Sequence, residues 1–174
     1  MSYLRVVFIL TFGCSLFANS FTTIKDFRAN FTQSIEASKN KNIVYKGEIF
    51  LKRPQNILWK YSNPIKKSVY IKSSSVLVVE PDLEQVLIST FNKKMNFIKI
   101  FDNAKRIKKN TYKAFVNKTI YIIKLKNSVP SEIKYTDKLD NKVKISFINV
   151  RKNIHIPSST FVYKIPKDYD IIRK

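Results

Sequence analysis

The sequence predicts a mainly β protein with a few helices (α+β), built on a single curved antiparallel sheet. Three observations support this fold class. About ten short segments alternate apolar and polar side chains with a period of two, which is typical of half-buried strands. Two other segments carry apolar residues at helical spacing. Turn-forming residues separate the strands at short intervals, as in a meander, and inserted helices then cover one face of the sheet.

The first helix is expected to begin at Thr23, with Asp26 three residues later completing a capping signal. The apolar residues that follow recur at offsets of three, four and four, the spacing of one helix face: Ile24, Phe27, Phe31 and Ile35. The polar run 38–42 ends this predicted helix.

Strands are predicted on both sides of a second helix. The strands before it are 45–53, 56–61, 68–72, 75–80 and 85–90. Pro54 closes the first of them, because proline cannot donate to a strand ladder. The helix is predicted over residues 92–104, where Phe97 and Phe101 share one face. The strands after it are 112–116, 119–126, 132–137, 143–150 and 161–165, with a polar turn at 137–141.

The charge of the chain is strongly positive. Its 174 residues, enough for one domain, include 33 Lys and Arg against 12 Asp and Glu, a net charge of +21. Such a balance is typical of proteins that bind nucleic acid or anionic surfaces. The densest basic stretch is only residues 105–109, so a solvated surface is the preferred interpretation and no nucleic-acid partner is expected. Binding to an anionic surface remains the alternative.

The N-terminus reads as a secretory signal peptide over residues 1–18, with cleavage after Ala18 or Ser20, which leaves 19–174 as one domain. A basic start precedes the apolar run 6–17, which is too short to span a bilayer as a helix. A retained anchor and lipidation at Cys14 are the alternatives. Because Cys14 is the only cysteine, the mature chain would have no disulfide and no thiol chemistry.

Residues suited to catalysis are scarce. His155 is the only histidine and has no acidic neighbour in sequence. The carboxylates of Glu80, Asp82 and Glu84 are too few for Ca²⁺, which takes six or more oxygen ligands. The chain has no phosphate-binding loop and no zinc spacing. We therefore expect a protein that is not an enzyme and that needs no metal or cofactor.

The most informative motifs lie between residues 31 and 64. They are F-T-Q at 31–33, Y-x-G at 45–47, R-P at 53–54 and W-x-Y-x-x-P at 59–64. An acidic hairpin at 80–86, P-x-E-I at 130–133 and F-x-x-x-x-P-x-x-x-D at 161–170 follow in order. Together they resemble the periplasmic outer-membrane lipoprotein carrier (LolA) family. Two departures are Ser73-Ser74-Ser75, where many members have an Asp-Gly turn, and Ile57, where an aromatic residue is common.

The resemblance implies an incomplete β-barrel covered by a helical lid. Members of the family accept acylated lipoproteins from an ATP-driven transporter in the inner membrane. They carry these lipoproteins across the periplasm to an acceptor in the outer membrane, where one is present. A monomer is expected. An outer-membrane lipoprotein acceptor, or a lipid sensor, on the same scaffold is the alternative within this fold.

The resemblance also assigns roles to residues. Arg53 would be the lid latch, because the family's R-P arginine hydrogen-bonds the backbone of the lid. The residues expected to line the acyl-chain cavity are Ile49, Leu51, Ile57, Trp59 and Tyr61. The residues expected to face them from the lid helices are Phe27, Phe31, Phe97 and Phe101. Whether these apolar residues enclose a cavity or pack as a solid core is left open.

Overall fold

The computed structural model describes residue 21 and residues 23–37, 41–90 and 97–173, and these form one twelve-stranded sheet. The strands before the helix are β1 (Asp26–Ala37), β2 (Lys41–Lys52), β3 (Asn56–Asn63), β4 (Lys67–Lys72), β5 (Ser75–Glu80) and β6 (Gln85–Thr90). The helix is α1 (Phe97–Asp102). The strands after it are β7 (Lys105–Lys108), β8 (Thr111–Val116), β9 (Thr119–Lys126), β10 (Val129–Thr136), β11 (Lys142–Lys152) and β12 (Asp170–Arg173). Short 3₁₀ turns occupy Pro81–Leu83 and Ser158–Phe161.

The sheet is open, with β12 and β7 at its two edges. Its order is β12-β6-β5-β4-β3-β2-β1-β11-β10-β9-β8-β7, so two runs of hairpins flank the central β1–β11 pair. The β12–β6 pair is parallel, whereas β1 pairs antiparallel with both of its neighbours. Residues from β3 and β4 share one buried cluster with residues from β9 and β10, so the sheet curls around a common core. The mainly β fold with one curved sheet is thereby confirmed.

The predicted first helix is wrong, because residues 26–37 form β1. Phe27, Ala29 and Phe31 are buried on one face, and Arg28 between them is exposed. Phe27, Phe31 and Ile35 are four residues apart, and a spacing of four keeps side chains on one face of a helix and of a strand alike. The strand is formed because β1 hydrogen-bonds to β2 on one side and to β11 on the other. Phe27 and Phe31 therefore belong to the sheet rather than to a lid helix.

The second predicted helix is present but shorter than expected. Within the described part of the predicted range 92–104, α1 covers Phe97–Asp102, and residues 92–96 lie outside the description. Among the described residues, this short helix does not by itself show the helical lid that the resemblance implies. No helix of the described residues is long and apolar enough to cross a membrane. The proposed signal peptide lies outside the described residues.

Most predicted strands are confirmed, and the exceptions have local causes. A 3₁₀ turn and irregular chain replace the strand predicted at 161–165, and Phe161 packs on the outer face of the sheet with Leu58 and Ile156. The sequence analysis missed β7 and β12, in which every residue is exposed and no buried alternation marks a strand.

The predicted turn at 137–141 and the turn at Ser73 illustrate how this chain reverses direction without glycine. Asp137 closes the β10–β11 turn, because its Oδ1 accepts the backbone N–H groups of Leu139 and Asn141 at 2.8 and 3.0 Å. In the β4–β5 hairpin, where Lys72 pairs with Ser75, Ser73 takes a φ of 53°. That left-handed conformation favours glycine, so it costs more free energy for Ser73 than for the glycine of a typical Asp-Gly turn.

Candidate functional site

The concave face of the sheet is lined by aromatic rings centred on Phe31. Its ring meets those of Trp59 and Tyr61 edge to face, with centroids 4.9 and 5.2 Å away. Gly47 lies directly opposite Phe31 on β2. A Cβ atom on Gly47 would overlap the carbonyl oxygen of Lys60 and lie 3.0 Å from Cε1 of Phe31. The glycine of the Y-x-G motif therefore allows a close approach of β3 and of the Phe31 ring.

Helix α1 covers part of this aromatic face. Phe97 packs edge to face against Trp59, with centroids 5.2 Å apart, and against Phe101 at 5.3 Å. Phe101 in turn meets Phe27 of β1 at 6.3 Å. The structure thus brings together all four aromatic residues predicted to lie in the lid, with two of them on the helix and two on the sheet beneath it.

Arg53 joins two segments at one end of this interior. Its Nε donates to the carbonyl oxygen of Ile24 at 2.7 Å, and its Nη2 donates to that of Phe21 at 3.3 Å. The same Nη2 lies 2.7 Å from Oδ1 of Asp102, at the end of α1. One guanidinium therefore binds both the segment before β1 and the helix, as its several donors in a planar fork allow.

The interior is solidly packed near Arg53. The Phe21 ring stacks on Phe101 at 5.0 Å and meets Tyr112 edge to face at 4.9 Å. Three of the predicted lining residues, Ile49, Leu51 and Ile57, are almost completely buried, and Leu51 pairs with both Phe27 on β1 and Ile57 on β3. We call this region, defined by Phe21, Phe27, Phe101 and Arg53, the arginine end.

The opposite end contains open space. A cavity of about 100 Å³ is lined by Gln33, Trp59, Tyr61, Val69, Ile71, Phe97, Tyr135 and Ile145. Trp59 and Tyr61 are predicted lining residues that do line it, whereas Ile49, Leu51 and Ile57 are among the packed residues. We call this region, defined by Gln33, Tyr61 and Tyr135, the tyrosine end.

The polar groups of the tyrosine end stay neutral at ordinary pH. The Tyr61 hydroxyl donates to Oε1 of Gln33 at 3.2 Å. Burial raises the pKa of Tyr61 to about 12, and neighbouring Tyr45 adds to the rise. Burial also raises the pKa of Tyr135, with Tyr121 and Tyr61 contributing. An apolar wall with uncharged hydroxyl and amide groups suits a ligand that is mostly hydrocarbon with a few neutral polar atoms.

Sequence reasoning missed several residues of this cavity. Val69, Ile71, Tyr135 and Ile145 lie on strands that were predicted, and each points to the same face as the buried residues of its strand. The signal was therefore present in the alternation. Gln33 belongs to the F-T-Q motif, but its position on the inner face of β1 could not be predicted, because the sequence analysis assigns this segment to a helix.

An open curled sheet with an apolar, aromatic concave face is typical of proteins that bind hydrophobic ligands. The chain belongs to the family "Outer membrane lipoprotein carrier protein LolA", whose model matches residues 22–164.

Relatives with the name "Outer-membrane lipoprotein carrier protein" support this membership. The one from Campylobacter jejuni is 40% identical over 84% of this chain and 86% of its own length. The one from Wolinella succinogenes is 32% identical over 95% of this chain and 96% of its own length. A crystal structure of an uncharacterized conserved protein from Thermus thermophilus has the same fold, with a TM-score of 0.56 at 11% identity over 90% of this chain and 94% of its own.

Proposed function

We propose that this chain is a periplasmic carrier that encloses the acyl chains of lipoproteins and moves them from the inner to the outer membrane. The observation that carries the proposal is the aromatic interior with a cavity at its tyrosine end, in a chain of the lipoprotein carrier family. An ATP-driven inner-membrane transporter would supply the cargo, and an outer-membrane acceptor would receive it where one exists. The carrier works as a monomer and catalyses no reaction.

The energetics of an acyl chain explain why such a carrier is needed. Each buried methylene is worth about 0.8 kcal/mol against water, so one chain contributes roughly 10 kcal/mol or more. A lipoprotein therefore does not cross water unaided. The carrier has to match the apolar environment of the bilayer approximately, because much tighter binding would prevent release to the next acceptor.

The size of the cavity implies that the interior opens to take cargo. A volume of about 100 Å³ is well below the 300 Å³ or more that typical ligand pockets provide. Additional space has to come from a covering element that moves. Helix α1 is that element, because Phe97 lines the cavity and Phe101 joins it to the packed end.

Arg53 holds this covering in place when no cargo is bound. Its bonds to the carbonyls of Ile24 and Phe21 and to Asp102 tie α1 to the segment before β1. Charge-assisted hydrogen bonds are worth roughly 1.5–3 kcal/mol each when well sheltered, and less for a pair as exposed as this one. A latch of a few kcal/mol keeps apolar surface covered and is still overcome by an acyl chain.

The decisive experiment follows cargo directly. The protein is purified from the periplasm, its bound material is analysed by mass spectrometry, and transfer of a labelled acylated lipoprotein from the inner membrane is measured. We expect acylated lipoprotein to copurify, and Arg53→Leu to change release of cargo while the protein stays folded. Arg28→Leu is the matched control, because Arg28 pairs with Glu48 at 2.8 Å on the outer face. Absence of both copurifying cargo and transfer activity would refute the proposal.

An acceptor on the same scaffold differs from a carrier in its N-terminus. An acceptor anchored through a lipid would carry acyl groups on Cys14, whereas an exported carrier would begin after Ala18 or Ser20. The intact mass of the mature protein therefore separates the two. A mass that corresponds to an unmodified chain beginning at residue 19 or 21 is the expected result.

A further inference from the structure

The outer face of β8–β11 carries an unbalanced row of lysines. The cross-strand register places Lys113 opposite Ile122, Ile122 opposite Lys134, and Lys134 opposite Lys144. Like charges that face each other directly on neighbouring strands repel and destabilise the pair. Two carboxylates lie beside these lysines: Oε1 of Glu132 is 3.0 Å from Lys124 and 3.6 Å from Lys134, and Oε1 of Glu36 is 3.5 Å from Lys142, so lysines outnumber carboxylates here.

Apolar side chains are exposed beside these lysines. Phe115 and Ile120 pair across the β8–β9 hairpin, and their side chains are 64% and 47% exposed. A groove of about 520 Å³ lies next to them, with Ile120 and Ile122 along it and three lysines and one carboxylate around it: Lys134, Lys142, Lys144 and Glu36. We name the set Lys113, Lys134, Lys142, Lys144, Phe115 and Ile120 the lysine face.

We propose that the lysine face docks the protein on the surface of an anionic phospholipid bilayer. Lysines beside an exposed phenylalanine and isoleucine match the two layers of a membrane interface, because the ammonium groups meet phosphates while the apolar groups enter the region below. An acidic protein partner would use the lysines but has no need for two exposed apolar residues at a hairpin end. Docking and cargo transport are separate properties, so each can fail without the other.

The position of the lysine face fits this role. The cross-strand register places the β8–β9 and β10–β11 turns at the same end of the sheet, and Tyr121 and Tyr135 pair directly behind them on the inner face. Docking through the lysine face therefore brings the tyrosine end, rather than the arginine end, close to the bilayer. A carrier held in this way has its cavity near the lipid.

A second groove on the same outer face supplies a control. This groove has a similar volume of about 570 Å³ and includes Lys46 and Lys60. Its carboxylate, Glu48, is paired with Arg28 at 2.8 Å. Reversing Lys46 and Lys60 changes the net charge by the same amount as reversing Lys134 and Lys144, but leaves the lysine face intact.

The test measures partition of the purified full-length protein onto vesicles by flotation. Vesicles of phosphatidylcholine with phosphatidylglycerol are compared with vesicles of phosphatidylcholine alone. One lysine near an anionic surface contributes about a fivefold change in partition, so K134E/K144E is expected to weaken binding at least tenfold. The control K46E/K60E is expected to weaken it about threefold or less. Thermal unfolding of each variant verifies that the fold is retained.

The apolar residues provide a second, independent measurement. F115S/I120S leaves every charge in place and is expected to weaken partition about tenfold, because two apolar side chains no longer enter the interface. Raised salt should weaken binding of the unsubstituted protein, because the Debye length falls from about 10 Å at 0.1 M to about 3 Å at 1 M. Equal losses in both lysine variants would show an effect of net charge only and overturn the proposal. A different pair of results would indicate an acidic protein partner and also overturn the proposal. In that pair, F115S/I120S binds vesicles as strongly as the unsubstituted protein, and the unsubstituted protein binds soluble polyglutamate as strongly as anionic vesicles.

Discussion

The two ends of the aromatic interior differ in how completely they are filled. At the arginine end, Phe21 stacks on Phe101 and Arg53 binds the surrounding carbonyls. At the tyrosine end, Gln33 and Tyr61 border a cavity of about 100 Å³. Phe27 and Gln33 mark these ends on the same face of β1, and they are separated by roughly 20 Å of extended chain.

This difference separates stability from binding. Close packing at the arginine end contributes dispersion and burial that a ligand cannot replace, so substitutions there should act mainly on folding. The tyrosine end holds spare volume and hydrogen-bonding groups that stay neutral, so substitutions there should act mainly on the ligand. Each prediction below tests one side of this contrast, in order of decreasing expected effect.

The largest effect is expected from Phe101→Ala at the arginine end. Phe101 is almost completely buried and contacts the rings of Phe21, Phe27 and Phe97. Removal of a buried phenylalanine ring typically costs 3–5 kcal/mol, about what we expect here. Urea denaturation measures the change. Phe115→Ala is the matched control, because the Phe115 side chain is 64% exposed, and it should alter stability by no more than about 0.5 kcal/mol.

Enlarging side chains should distinguish the two ends next. Ile49→Phe inserts atoms where Ile49 is fully buried and should destabilise the fold by about 1–3 kcal/mol. Val69→Phe directs a ring toward the cavity and should change stability by less than about 1 kcal/mol. Denaturation and acyl-ligand binding are measured on both variants. Weaker binding with retained stability is expected for Val69→Phe alone, and equal destabilisation of the two variants would contradict the contrast between the ends.

Arg53→Leu should have an intermediate effect on stability and a distinct effect on access. Loss of the bonds to Ile24, Phe21 and Asp102 should cost about 1–3 kcal/mol. The interior should also become more accessible, which would appear as a change in Trp59 fluorescence and increased quenching by acrylamide. Arg53→Lys should retain part of the stability and part of the protection from quenching, because an ammonium reaches fewer acceptors than a guanidinium. Unchanged quenching would remove Arg53 from the role of a latch.

The smallest effect on folding is expected from Tyr61→Phe. Loss of the bond from the Tyr61 hydroxyl to Gln33 should cost about 0.5–1.5 kcal/mol at pH 7. At high pH the substitution should instead stabilise the protein relative to the unsubstituted chain. The pKa of Tyr61 is raised from 10.0 to about 12 in the folded protein, so the unfolded chain ionises first. Its contribution to stability is complete below pH 10 and is lost between pH 10 and 12.

The measurement is stability against pH in the two proteins. The free energy of unfolding of the unsubstituted protein should fall more steeply above pH 10 than that of Tyr61→Phe. The extra loss should reach on the order of 2 kcal/mol at pH 12. Absorbance of ionised tyrosine at 295 nm gives the titration of the native protein. Parallel pH curves for the two proteins would show that Tyr61 is not the buried group responsible.

Much of the sheet could be predicted because burial alternates along its strands. In β8 and β9 the residues facing the core, such as Tyr112 and Ile123, alternate with exposed lysines, and the predicted bounds are close to those observed. The identity of β1 could not be predicted, because apolar residues four apart satisfy both periods. Strand β12 could not be predicted either. It pairs in parallel with the distant β6, and its residues are all exposed, so they show no alternation of burial.

The sequence by itself determined which side chains are apolar, where most strands lie and which motifs mark the family. Only the tertiary structure decided that Phe27 and Phe31 lie on a strand, that Arg53 reaches carbonyls about 30 residues away and Asp102 beyond them, and that space remains at one end of the interior. The physical reason is that alternation and residue type are local properties of the chain. Register, hydrogen-bond partners and cavity volume arise only when distant strands pair.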